Sequence, residues 1–377
     1  LNQAAFLAYF ERARWQMLAG GPGMDLFGRA GVWPAVRRAV IDYHAPAFPG
    51  HTLRFHLAVT RLGRTSFTMR QVARRESDDV LIATAESVFV CIDQTGAAVP
   101  VPAEVAAFLL PALPAAADTT RRVTVHGLEL SLDDRGSGPT LLFLHGYPLD
   151  GSLWRHQAGA FPGWRTLIPD LRGFGRSDAP DLGYSMATYA DDLAAMLDAL
   201  GVDDVVLAGL SMGGYVAFEF LRRHRPRVRA LALVDTRATA DSAEGRKGRE
   251  IAMADAREGG APLIAEQMLP KLLAKSAPHE LAEQVRAMMA AAPVPGLLGA
   301  LAAMRDRPDS TDLLPELRGF PTLVVVGAED VLTPPREAEG MAKAIPGAKS
   351  AIIPNAGHLA PLEQPEVFNQ HLAALLA

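Results

Sequence analysis

The sequence contains one cysteine, Cys91, in 377 residues. An internal disulfide is therefore excluded, and such usage is expected of a reducing compartment. Long apolar runs are missing too. None reaches the roughly 18 unbroken residues that a membrane helix needs, although 49% of the chain is hydrophobic. Charge of one sign does not accumulate either. A net charge of −5 built from interspersed acids and bases gives nucleic acid no basic surface to bind. No secretory leader is recognisable from Leu1 onward, so the expectation is a cytoplasmic protein without nucleic-acid or membrane partners.

What is present divides in two. In the first 113 residues, apolar side chains at helical spacing (Ala5, Phe6, Tyr9, Phe10, Trp15) predict a helix over Ala4 to Leu18. After Gly20-Gly-Pro-Gly23 come candidate strands at Val36–His44, Thr52–Leu62, Ser66–Arg74 and Val80–Ile92, separated by turn-forming residues. One helix and a run of antiparallel strands is an α+β arrangement. Cys91 lies in the apolar run from Ser87 to Asp93 and reads as a buried strand residue. His44, His51 and His56 show no partner pattern.

The start, Leu1-Asn-Gln-Ala-Ala-Phe-Leu-Ala-Tyr-Phe-Glu-Arg-Ala-Arg14, with Val36–Tyr43, Arg61–Phe67 and Ala83–Val90, resembles the hotdog-fold acyl-CoA thioesterase family. The resemblance implies a thioester site at the helix start, where the helix N-terminus polarises the carbonyl. Of that motif the chain holds Asn2 and Gln3. It also implies a homodimer or larger homo-oligomer, and leaves two roles open: acyl-thioester chemistry, or assembly alone.

A Pro/Ala-rich passage from Pro100 to Thr120 reads as a short helix and then a linker at 114–120. From Arg121 the pattern changes. A hairpin turning at His126-Gly127 is followed by strands at Thr140–His145, Arg165–Pro169, Val205–Ala208, Val228–Val234, Thr322–Val326 and Ala351–Ile353. Helices are predicted at Leu153–Phe161 and Ala187–Leu200. Such alternation implies an α/β fold with a mostly parallel sheet, whose ligands bind at the carboxyl ends of the strands. Between 237 and 318 Met- and Ala-rich helical segments replace it and read as a cap.

Candidate chemistry falls at strand ends. Gly209-Leu-Ser-Met-Gly213 fits G-x-S-x-G, a strand-to-helix turn with a serine at its tip. Gly327-Ala-Glu-Asp330 and Asn355-Ala-Gly-His358 follow later strands, which gives the order serine, acid, histidine. Glu329 and Asp235 compete with Asp330 for the acid, and His145 with His358 for the base. With Asp170-Leu-Arg-Gly-Phe-Gly-Arg-Ser177, these motifs resemble the α/β-hydrolase fold over 121–377. Within it the chain is most similar to small-ester and lactone hydrolases, including 3-oxoadipate enol-lactonases and cofactor-free haloperoxidase-type esterases.

The resemblance implies Ser211 as nucleophile, His358 as its base and then acid, and Asp330 as the group that orients the imidazole. It implies an oxyanion hole from the backbone N–H groups of Met212 and Tyr147. The expected substrate is a small ester or lactone, or in the rival reading a thioester, cleaved without metal or organic cofactor. A haloalkane dehalogenase would carry Asp at position 211, and perhydrolysis would use the same triad. Trp154 and the cap methionines Met253, Met268, Met288, Met289 and Met304 are candidates for lining the acyl pocket.

Overall fold

Alternation shapes the first part of the chain. In β3 (Ser66–Arg75), Phe67, Met69, Gln71 and Ala73 are buried, and in β4 (Leu81–Ile92) so are Ala83, Ala85, Ser87, Phe89 and Cys91. Their sheet is antiparallel, in the order β1 (Trp33–Tyr43), β4, β3, β2 (Leu53–Leu62). The computed structural model describes residues 6, 8–14, 24–78, 80–109 and 119–376 of the chain. Its internal contacts divide into two units, Leu1–Asp118 and Thr119–Ala377.

Residues 8–14 form helix α1; the rest of the helix expected over Ala4–Leu18, apart from helical Phe6, lies outside the described residues, as do Asn2 and Gln3. Phe6 and Phe10 pack on Ala73, Ile82, Ala83 and Ala85. Buried Gln71 fastens helix to sheet, donating to the Phe10 carbonyl and accepting from Arg14, both at 2.8 Å. A second patch of the same face is covered by Leu26 and Phe27 of α2 (Met24–Arg29) and by Val105 and Leu109 of α3 (Ala103–Leu109). Burial there pushes the Cys91 thiol above its usual pKa, which suits a packing residue and not a nucleophile. β1 starts earlier than expected and includes Pro34, which is tolerated because β1 is an edge strand.

The second unit is an eight-stranded sheet ordered β12-β11-β10-β9-β7-β8-β6-β5. β5 (Thr120–Val125), β6 (Leu128–Arg135) and β8 (Arg165–Pro169) pair antiparallel, and the remaining pairs are parallel. The central strands bury both faces. In β9 (Val205–Leu210), Val205 and Leu207 enter one core, whereas Val206, Ala208 and Leu210 enter the other. β7 (Thr140–Leu144) alternates the same way, which is why both read as unbroken apolar runs. Helices α4 (Met186–Ala199) and α5 (Met212–His224) cover one side, and the C-terminal helix α9 (Pro365–Leu376) with Trp154 the other. β10 (Val228–Val234), β11 (Thr322–Gly327) and β12 (Lys349–Ile353) complete the sheet.

Two expectations need correction. The helix expected at Leu153–Phe161 is a single 3₁₀ turn, Gly151–Trp154, followed by irregular turns. Gly159 lies at φ +70°, and Pro162-Gly163 follows, so the helix cannot propagate. The last residue of the expected linker, Thr120, already pairs with Asp133 in the sheet. The cap consists of α6 (Ala243–Leu272), α7 (His279–Ala290) and α8 (Val294–Arg305). α6 is kinked at Gly260, whose φ of +64° no helix contains. Among the described residues, no single helix is long and apolar enough to cross a membrane.

Candidate active site

The turn from β9 into α5 is built on glycines. A Cβ on Gly209 would stand 2.3 Å from the Gly213 carbonyl oxygen, and one on Gly213 would stand 2.3 Å from that of Leu144. Strand, helix and β7 therefore approach closer than any side chain allows. Ser211 at the tip takes φ +53°, ψ −113°, a conformation that costs a non-glycine residue about 1–3 kcal/mol. The surroundings hold it there. Its N–H donates to Val234 at 2.9 Å, and its carbonyl accepts from the Gly214 N–H at 2.9 Å and the Thr236 hydroxyl at 2.8 Å. The Ser211 hydroxyl makes no helix-capping bond and lies at the wall of a cavity.

His358 faces the same cavity. Its Nδ1 lies 2.8 Å from Asp330 Oδ2, with both side chains almost wholly buried. Asp330 is well supplied with donors. Oδ1 accepts from the N–H groups of Leu332 (2.8 Å) and Thr333 (3.0 Å), and Oδ2 from the Thr333 hydroxyl (2.6 Å). Burial by itself would raise the Asp330 pKa, but His358 and the Thr333 donors outweigh it and hold the carboxyl below its usual range. It is thus an anion aimed at Nδ1, an arrangement that leaves Nε2 as the acceptor.

The competing acids point elsewhere. Glu329 accepts from the Lys275 N–H at 3.2 Å. Asp235 is fully buried at the end of β10, and its Oδ1 accepts from the Gly327 N–H at 2.7 Å. Burial, reinforced by nearby Asp330, pushes its carboxyl well above the ordinary carboxylate pKa. It ties β10 to β11 through the Gly327 N–H, and its raised pKa favours the protonated form.

His145 is no base. Its Nε2 accepts from the Leu171 N–H at 2.9 Å, so Nδ1 carries the proton and donates to the Gly146 carbonyl at 3.0 Å. Burial pulls its pKa down, which keeps the ring neutral. It braces the loop that carries Tyr147 to the cavity wall. Behind that loop, the Asp170 carboxylate accepts from the N–H groups of Gly151 (2.8 Å) and Arg176 (3.0 Å), while Ser177 donates to the Asp170 carbonyl at 2.6 Å. The Asp170–Ser177 motif is therefore scaffold. Met212 opens α5, where a first-turn N–H has no carbonyl one turn back to bond.

The cavity has a volume of about 420 Å³ and is roofed by the cap, with Ile264, Met268, Leu301 and Met304 among its lining residues. Trp154 is not in it. This expectation is corrected: the indole is fully buried between Phe143 and Phe368 in the core under the sheet. Met253 and Met289 are likewise core residues, and Met288 borders a different cavity. The sequence reading missed Thr333, although a hydroxyl three residues beyond an Asp in a loop is a recognisable local pairing. It also missed the charged part of the lining, formed by Arg237, Asp241, Arg249, Asp255 and Lys271. Charges in the cap segment and the loop that leads into it read as a solvated face, and nothing in their spacing shows which of them turn inward.

Both units are matched by comparison with known proteins. A profile of the alpha/beta hydrolase fold matches residues 139–365, and one of the thioesterase-like superfamily matches residues 1–109. The AB hydrolase superfamily protein YisY of Bacillus subtilis (strain 168) is 30% identical over 261 residues, covering 66% of this chain and 96% of that protein. Among solved structures, a thermophilic esterase from Thermogutta terrifontis is 43% identical, with a TM-score of 0.65 over 68% of this chain and 98% of its own. The enol-lactonase from Burkholderia xenovorans LB400 is 25% identical, with a TM-score of 0.62 over 68% of this chain and 99% of its own. The chain belongs to the α/β-hydrolase fold family and carries a thioesterase-like domain ahead of its hydrolase domain.

Proposed function

We propose that the second unit is a serine hydrolase that cleaves a small carboxylic ester or lactone through an acyl-serine intermediate. The observation that carries this is the Asp330–His358 pair, 2.8 Å apart and buried, opening on the cavity walled by strained Ser211. In this reading His358 Nε2 takes the proton as Ser211 Oγ attacks the carbonyl carbon, then delivers it to the leaving oxygen. Water, activated by the same imidazole, releases the acid and restores Ser211. The N–H groups of Met212 and Tyr147 bind the oxyanion in both steps. The esterase and enol-lactonase relatives support the ester and lactone class.

The thioesterase-like match supports a second activity for the first unit, binding or hydrolysis of an acyl-CoA thioester, and we propose that this unit also assembles a homo-oligomer. One experiment separates the activities: turnover of p-nitrophenyl esters and of acyl-CoA by the intact protein and by Ser211→Ala. Ester turnover should fall by at least about 10³-fold, with loss of fluorophosphonate labelling. Ester activity retained in the variant rejects Ser211 as the nucleophile. Thioester turnover that survives the substitution belongs to the first unit.

A further inference from the structure

Among the described residues, Arg237 of the cavity wall forms no ion pair. Arg237 follows Thr236, whose hydroxyl bonds the Ser211 carbonyl, so its backbone is anchored to the nucleophile turn. Its guanidinium donates through Nη2 to the Leu332 carbonyl, and the Leu332 N–H in turn donates to Asp330. The head group is thereby held on the His358 side of the cavity. Among the described residues that neutral carbonyl is its bonded acceptor, and its buried Nε has no hydrogen-bond partner.

The other charges nearby are accounted for. Asp241 is bonded by Arg249 at 3.0 Å and by Arg307 at 2.7 Å, so one carboxylate already serves two guanidiniums. Arg307 also lies over the Tyr215 ring, 4.1 Å from its centroid. Asp255 accepts from Gln267 at 2.9 Å, and Lys271 is exposed. Glu219 borders a small space behind Arg237 without forming an ion pair with it. A partly buried guanidinium that borders the cavity and forms no ion pair among the described residues is matched by one chemistry above others: a planar carboxylate received through charge-assisted hydrogen bonds.

We propose that Arg237 is a substrate-binding residue and that the hydrolase acts on esters or lactones that carry a carboxylate. This rests on the ester-hydrolase reading of Ser211 and adds the charge of the substrate to it. Cap residues Ile264, Met268 and Met304 take the short apolar segment between the carboxylate and the reacting carbonyl.

The test uses the full chain and two matched substrate pairs. Mono-p-nitrophenyl glutarate against p-nitrophenyl hexanoate places the anion on the acyl side, and 4-acetoxybenzoate against 4-acetoxyacetophenone places it on the alcohol side. In at least one pair the wild type should favour the anion in kcat/KM. Arg237→Gln should lower that preference by about 10- to 100-fold, the usual worth of a hydrogen bond to a charged group, and Arg237→Lys should retain part of it. Glutarate should inhibit hydrolysis of the neutral ester by the wild type, and glutaramide should not; this arm needs no variant to fold. The proposal is overturned if neither pair shows an Arg237-dependent preference, or if Arg237→Gln lowers both members of each pair by one factor, since that marks Arg237 as a brace for the Leu332 loop. If the wild type turns over none of the four substrates, the ester-hydrolase reading itself fails. Anion discrimination alone is then not the point of failure.

Discussion

At the scale of single residues, the acid is the assignment that the sequence left most open, because Glu329, Asp235 and Asp330 are all carboxylates within reach of strand ends. The structure separates them by hydrogen bonding: Asp330 alone of the three meets His358 Nδ1, while Asp235 is bonded to Gly327 and Glu329 to Lys275. Replacement of Asp330 by Asn gives a prediction with a mechanism. The amide oxygen can still accept from Leu332 and Thr333, so the loop keeps its shape, but the amide NH₂ then faces Nδ1. The imidazole must present a lone pair there and carry its proton on Nε2, where it can no longer accept from Ser211. Ester kcat/KM for Asp330→Asn should drop on the order of 10⁴-fold with Tm little changed. Activity within about tenfold of wild type, on the same scale of effects, would transfer the role to Asp235.

Among the elements, those whose burial writes itself into the sequence were legible. β7 and β9 bury both faces and show as apolar runs; β3 and β4 bury one face and show as alternation. The nucleophile turn was legible because its close approaches require Gly209 and Gly213. The segment after Trp154 was misread because its apolar residues have helical spacing, while Gly159 and Gly163, both at positive φ, decide its conformation. Trp154 was assigned to the pocket because a large aromatic near a strand end looks the same whether it faces substrate or core. The tie between β10 and β11 could not be read at all. A lone Asp after a strand does not announce that it is buried with a raised pKa.

That tie has a pH signature. Asp235 is held well above its ordinary pKa by burial and by Asp330. Between the unfolded and native values the native chain therefore keeps a proton that the unfolded chain has shed. The contribution of this carboxyl is whole below the unfolded value and is lost as pH rises towards the native one. Asp235→Asn keeps an acceptor for the Gly327 N–H and has no proton to lose. Its Tm should gain on that of the wild type as pH is raised from about 5 to 9, measured by calorimetry in matched buffers. Parallel Tm curves for the two proteins would show that Asp235 is not protonated in the native state.

For the whole molecule, the unsettled matter is how many chains it takes to make one. β1 is an eleven-residue strand at the edge of the first sheet, and among the described residues β4 is the one strand it pairs with. Trp33, Val36 and Val40 along it are 39%, 53% and 36% exposed, and Tyr9 of α1 is 38% exposed. A long strand edge with apolar side chains invites pairing unless something covers it. Arg37 and Arg38 interrupt the apolar pattern, and among the described residues no second strand pairs with this edge. A second copy of the chain, related by a two-fold axis, meets both demands at once, since antiparallel β1 edges are self-complementary. Light scattering at micromolar concentration should give twice the monomer mass or a multiple of it. Val36→Lys with Val40→Lys, which sets like charges against each other across the axis, should shift that mass to the monomer. The cores of the second unit are built from its own residues, Val123 onward, so ester turnover per chain should persist in the variant. A wild type that scatters as a monomer would leave the β1 edge solvated in solution and remove assembly from the roles of the first unit.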